Sequence, residues 1–130
     1  MKKIKSFELF QGSRITSLLY KDLQYAETNW NELAIAIDEN NFKNFKMYLN
    51  LVDIEKVDHD GNTPLILASK NGRLKMLKEL IKKGANMMHK NKDNEDFYDA
   101  AINRYKFINN VKDWIEKEYP EFVAAKKYNL

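Results

Sequence analysis

Three clusters in this chain hold residue types that could do chemistry. Asp58-His59-Asp60 sets an imidazole between two carboxylates, the makings of a small metal site or an acid–base pair. Asp93, Glu95, Asp96 and Asp99 form an acidic run of the kind that holds calcium. Residues 70–92 gather Lys70, Arg73, Lys75, Lys78, Lys82, Lys83, Lys90 and Lys92 against the single acid Glu79, a pattern suited to phosphate or an acidic surface.

Each cluster also has a plainer reading. The acidic run lacks the central glycine and the final glutamate that a calcium loop needs. The Asp-His-Asp triplet runs straight into Gly61, so a polar turn accounts for it. The chain has no cysteine and two histidines, which removes disulfides, thiolate zinc and a cysteine nucleophile and leaves little for a histidine-built metal site. Four glycines make no glycine-rich phosphate loop, and no Ser-His-Asp arrangement can be drawn from His59 and His89. The expectation is no catalysis, no cofactor, no metal and no small-molecule substrate.

The elements that carry these residues fit into one small domain spanning 1–130, since 130 residues is an ordinary single-domain length. With 44% hydrophobic residues the chain can bury a core, and 32% charged residues cover a surface. The net charge of +3 is small but uneven: 70–92 alone carries +7, so the rest sums to −4. Nineteen lysines and fifteen asparagines against three arginines suggest an AT-rich genome, such as that of a low-GC bacterium, a phage or a large virus. No apolar run has signal-peptide or membrane-spanning length, so a soluble, cytoplasmic protein is expected, including one delivered into a host cell.

Residues 58–86 explain themselves locally. Asp60-Gly61 signals a turn, Thr63 caps a helix begun by Pro64, and Asn71-Gly72 ends it. A second helix carries Leu74, Leu77 and Ile81 at i, i+3, i+7 and ends in Lys82-Lys83-Gly84, cations and then glycine. Leu33, Ile35 and Ala36 stand 32 residues before Leu65, Leu67 and Ala68, and Phe42, Phe45 and Leu49 repeat the second stripe at the same offset. Downstream, Asp93 and Ala101 stand 33 after Asp60 and Ala68, followed by a stripe of Phe107, Val111, Trp114 and Ile115. The third unit's first helix is expected to be capped by Asp93 or Asp96. A helix pair with apolar residues pointing both ways needs a neighbour on each side, and the period supplies both.

This pattern resembles the ankyrin-repeat family. Gly61, Thr63-Pro64-Leu65, Ala68, Asn71-Gly72, Leu77, Leu80-Ile81 and Gly84-Ala85-Asn86 match it in order, with Ile66 and Ser69 where the family usually has histidine and a second alanine. The resemblance implies an all-α solenoid of helix-turn-helix units: repeat 1 over 29–57, repeat 2 over 58–90 and repeat 3 over 91–119. Residues 1–28 are expected to be an N-terminal cap, with an amphipathic helix over Ser13–Ala26 and IKSFELF as a strand or arm. Pro120 stops the third repeat, leaving 120–130 as a C-terminal tail or short helix.

The resemblance further implies protein binding through the finger tips and the concave face of the first helices. The positions it leaves free of packing are Trp30, Asp38 and Glu39 in repeat 1 and His59, Asp60, Asn62, Lys70 and Asn71 in repeat 2. In repeat 3 they are Lys92, Glu95, Asn103 and Arg104. Trp30 and Arg104 are the favoured hot-spot types. A small stand-alone binder of this kind suggests an inhibitor, an immunity-type protein or a protein that blocks a host factor. The competing reading is a basic scaffold whose convex side, over 70–92, docks nucleic acid or an acidic partner. Nucleic acid is the weaker of those two, because the cations are nearly all lysine with no aromatic residue among them. No membrane partner is expected.

Overall fold

A computed structural model describes residues 13–104 and 110–128, and the side chains of 23–103 and 110–128. Among them are seven helices and no strand: α1 (Ser13–Glu39), α2 (Phe42–Leu49), α3 (Pro64–Lys70), α4 (Leu74–Lys82), α5 (Phe97–Arg104), α6 (Asn110–Glu118) and α7 (Pro120–Lys127). The first helices α1, α3 and α5 pack side by side as one row, and α2, α4 and α6 form a second row against them. Leu33, Ile37, Phe45, Leu65, Leu77, Leu80, Phe97, Val111 and Ile115 fill the space between the rows, each with at most 1% of its surface exposed. Burying a side chain of this size stabilises by roughly 1.5–3 kcal/mol, which is what joins the short helices.

Local chemistry sets the ends of the middle repeat. Thr63 Oγ1 accepts the Ile66 N–H at 3.4 Å and Pro64 opens α3 without a wasted donor. After α4, Gly84 takes φ +91°, and the Gly84 and Ala85 amides close onto the Ile81 and Leu80 carbonyls at 2.9 and 3.0 Å. The third repeat starts without Thr-Pro, and of the two expected caps it uses Asp96. Asp96 Oδ1 accepts the Tyr98 and Asp99 amides, while Asp99 Oδ2 accepts the Asp96 amide, a reciprocal box of two carboxylates.

Two expectations are corrected. The boundary between cap and repeat at 28/29 falls inside α1, which runs unbroken for 27 residues. Among the described residues no finger precedes the first repeat, and no glycine or proline is present in α1 to break the helix. The stretch 23–28 is exposed, with Glu27 paired to Lys56 at 3.0 Å; the IKSFELF segment lies outside the described residues. In α1 the buried stripe is Trp30, Leu33 and Ile37, spaced i, i+3, i+7, and Ile35 is 47% exposed rather than core. Of the tail or short helix expected after the third repeat, the structure has the helix: Pro120 opens α7, which lays Phe122 on Phe97 with ring centroids 5.5 Å apart. Lys126 then bonds Asp96 and Asp99 at 2.8 and 3.0 Å, so α7 covers the far side of the third repeat.

Candidate partner-binding surface

The two described fingers are built alike, one repeat apart. Asp58 Oδ1 accepts the amides of Asp60 and Asn62, and Asn91 Oδ1 accepts those of Asp93 and Glu95, each at 2.9 Å. Gly61 and Asn94 hold equivalent left-handed positions at φ +81° and +63°. A Cβ at Gly61 would lie 3.0 Å from the Lys92 amide nitrogen, so only glycine lets the fingers touch so closely.

The contact is a hydrogen-bonded clasp. The Lys92 amide donates to the Asp60 carbonyl at 3.0 Å, Asn91 Nδ2 donates to Asn62 Oδ1 at 2.8 Å, and His89 Nε2 meets the Gly61 carbonyl at 2.9 Å. These bonds link the repeats where the family's usual histidine is replaced by Ile66. The Asp-His-Asp cluster is divided by its own finger, with His59 Nε2 3.6 Å from Asp60 Oδ2 and Asp58 turned to other duties. Asp58 is engaged by backbone and by Asn62, while His59 points outward with 90% of its side chain exposed. No group of three potential metal ligands is assembled among the described residues. The acidic run is likewise divided between duties, with Asp96 and Asp99 serving the α5 cap and Lys126.

Of the twelve expected contact residues, the structure takes two out of the exposed set. Trp30 is only 5% exposed and lies in the core of α1, its Nε1 donating to the Lys56 carbonyl at 3.2 Å. Asn62 is only 3% exposed and is consumed by the clasp. Asn71 is half-buried and closes α3, its Nδ2 donating to the Leu67 carbonyl at 2.8 Å. The Arg104 side chain lies outside the described residues.

The remaining residues form two neighbouring groups. The finger tips bring His59, Asp60 and Lys92 together, all exposed, because the Lys92 amide sits on the Asp60 carbonyl. The first helices place Asp38, Lys70 and Asn103 at equivalent positions of successive repeats, with Glu39 beside Asp38. Asn103 Nδ2 donates to Glu95 Oε2 at 2.7 Å. Hydrogen bonds from Asn91 and Asn103, helped by the Lys70 charge, hold the Glu95 carboxyl below its ordinary range. Glu95 is therefore a fixed anion beside a cation and an amide. That arrangement can hydrogen-bond the polar groups of a partner.

The sequence reading missed Ile35, an exposed apolar side chain on the same outward side of α1 as Asp38 and Glu39. Its signal was present: a stripe through Trp30, Leu33 and Ile37 puts Ile35 on the opposite face.

The comparisons with known proteins bear on the fold. A stretch of 73 residues is 37% identical to alpha-latroinsectotoxin-Lt1a of Latrodectus tredecimguttatus; it covers 56% of this chain and only 5% of the toxin. A chain in the solved complex of the Bdellovibrio bacteriovorus predatory endopeptidase Bd0816 with the immunity protein Bd3460 shares the fold. It superposes with a TM-score of 0.55 at 24% identity, over 72% of this chain and 45% of that one. The family model for ankyrin repeats, in three copies, matches residues 12–113 and so takes in the whole of α1. With two rows of paired helices, clasped fingers and a three-copy match over most of its length, the chain belongs to the ankyrin-repeat family.

Proposed function

We propose that this protein is a non-catalytic binder that occupies the surface of another protein, as an inhibitor or immunity-type factor would. Ankyrin repeats are protein-interaction modules, which gives the coarse function. The observation that carries the finer reading is one exposed face shared by all three repeats. On it stand the exposed Ile35, Asp38, Glu39 and Asn103 and the half-buried Lys70 and Glu95, with the exposed His59, Asp60 and Lys92 tips alongside. An apolar side chain ringed by mixed charges and amides has the make-up of a specific interface. The structural likeness to a chain in an endopeptidase–immunity protein complex supports the same reading at the level of fold.

The test pairs capture with activity. Wild-type protein and an Ile35→Glu/Lys70→Glu/Asn103→Ala variant are each used as bait, and the protein retained by wild type alone is assayed for its own activity. The expected result is a partner that the variant loses at unchanged melting temperature, and whose activity falls on adding wild type. Equal capture by both baits would reject this face, and an unaffected activity would reject inhibition.

A further inference from the structure

The second helices carry a feature that the binding face does not use. Lys43 and Lys75 hold equivalent positions on α2 and α4, and so do Lys46 and Lys78. Lys46 is neutralised by Glu79 at 3.2 Å, which turns the one acid of α4 back onto the stack. Lys43, Lys75, Lys78, Lys82 and Lys83 are all exposed, and none has a carboxylate within ion-pair distance among the described residues. The contrast with α6 is sharp, since there Asp113, Glu116 and Glu118 outnumber two lysines.

Three of these cations are also held in place. Lys75 Nζ sits 4.3 Å from the centre of the Phe42 ring, and Lys78 Nζ sits 5.4 Å from that of Trp114. Lys83 Nζ donates to Asn50 Oδ1. A solvated lysine waves through many rotamers, and fixing it for a partner costs side-chain entropy; here neighbouring repeats have already restricted three of the five.

We propose that the outer face of repeats 1 and 2 is a second docking surface, one that takes an acidic segment of a protein. The charge is uncompensated and of one sign, which sets the sign of the occupant. Lys75, Lys78 and Lys82 follow i, i+3, i+7 and span about 10 Å along α4. Carboxylates at the same spacing on a partner helix match that pitch. Nucleic acid fits less well, because its readers use arginine forks and open aromatic faces. The one arginine of this region, Arg73, is spent on the Ile37 and Asp38 carbonyls, and the Phe42 and Trp114 rings are half-buried under the lysines.

The full chain is titrated with a fluorescein-labelled, glutamate-rich helical peptide and, separately, with a single-stranded DNA oligonucleotide of equal charge. The patch variant is Lys75→Gln/Lys78→Gln/Lys82→Gln, which keeps the aliphatic stems over the rings. The control, Lys90→Gln/Lys117→Gln/Lys127→Gln, removes the same charge elsewhere. The expected result is peptide binding that the patch variant weakens by about tenfold and the control by much less, with both variants melting as wild type. A patch variant that melts early is replaced by Lys78→Gln/Lys82→Gln, read in the same way. Equal loss in patch and control variants, no peptide binding, or tighter binding of the oligonucleotide would overturn the proposal.

Discussion

Ser69 buries its hydroxyl completely, and that oxygen has no hydrogen-bond partner. An unsatisfied buried polar group costs free energy that an alanine would not, so Ser69→Ala is expected to raise stability by up to about 1 kcal/mol in denaturant unfolding. Gly84→Val should act in the opposite direction through backbone alone. A Cβ there meets nothing within 4 Å, yet φ +91° forces a β-branched residue into strain of roughly 1–2 kcal/mol. Asn62→Ala strips the clasp from Asn91 and Asp58, and the expected loss is about 1–3 kcal/mol of stability in the same measurement. Side chains of this kind divide what could be read from sequence. Gly84 was legible because a positive φ is a local demand written in one residue. Asn62 was not, since its burial depends on a finger one repeat away.

At the scale of elements, boundaries written in caps were legible and the continuity of α1 was not. Thr63-Pro64 and Lys82-Lys83-Gly84 mark their helix ends within a few residues. No such mark stands at 28/29, and helix continues through it with Trp30, Leu33 and Ile37 buried on one side. The α7 helix makes the third repeat sensitive to alkali. Burial, then the Glu116 hydrogen bond, raises the Tyr98 pKa well above its ordinary 10.0. Burial alone would lower the Lys126 pKa, but hydrogen bonds from its ammonium to Asp96 and Asp99 outweigh this and raise it. Both groups hold protons more tightly when folded, so both stabilise fully below pH 10 and lose that contribution as pH climbs through the folded values. Melting temperature should therefore fall above about pH 10, and less so in Tyr98→Phe. The acid limb has the reverse sign. Glu95 and Glu116 have lowered pKa values, Glu95 through its hydrogen bonds with Asn91 and Asn103 and Glu116 through that from Tyr98. Their contribution is present above pH 4.5 and lost as pH falls through the folded values.

At the scale of the molecule, the solenoid and its repeat number could be read because period 33 is a long-range signal carried by many positions. The composition of the proposed binding face could be read only in part. Repeat register names positions, whereas exposure depends on what the neighbouring repeat withdraws into caps and clasps, which is why Trp30 and Ile35 exchanged places. Two separate faces predict separable salt behaviour. Between 50 and 200 mM salt, binding of the acidic peptide should weaken steeply, and binding of the partner on the Ile35 face much less, as titrations of each will show.

Among the described residues the finger clasp joins the second and third repeats. Where α1 runs straight through, the first repeat shows no such finger, and it meets the second through its core, the Arg73 fork on the α1 carbonyls, the side-chain links from Lys46 and Lys83 and the Glu55 carboxylate on the Asn86 amide. Under native conditions the molecule should therefore open from one end. Amide protons of α2 should exchange with deuterium before those of α3 and α4, in a sub-global event that leaves the clasped pair intact. A partner seated across Asp38 and Lys70 bridges that weaker seam, so its binding should slow exchange in the first repeat far more than in the other two. The protein would then be most rigid when occupied, with its partner serving as the missing finger.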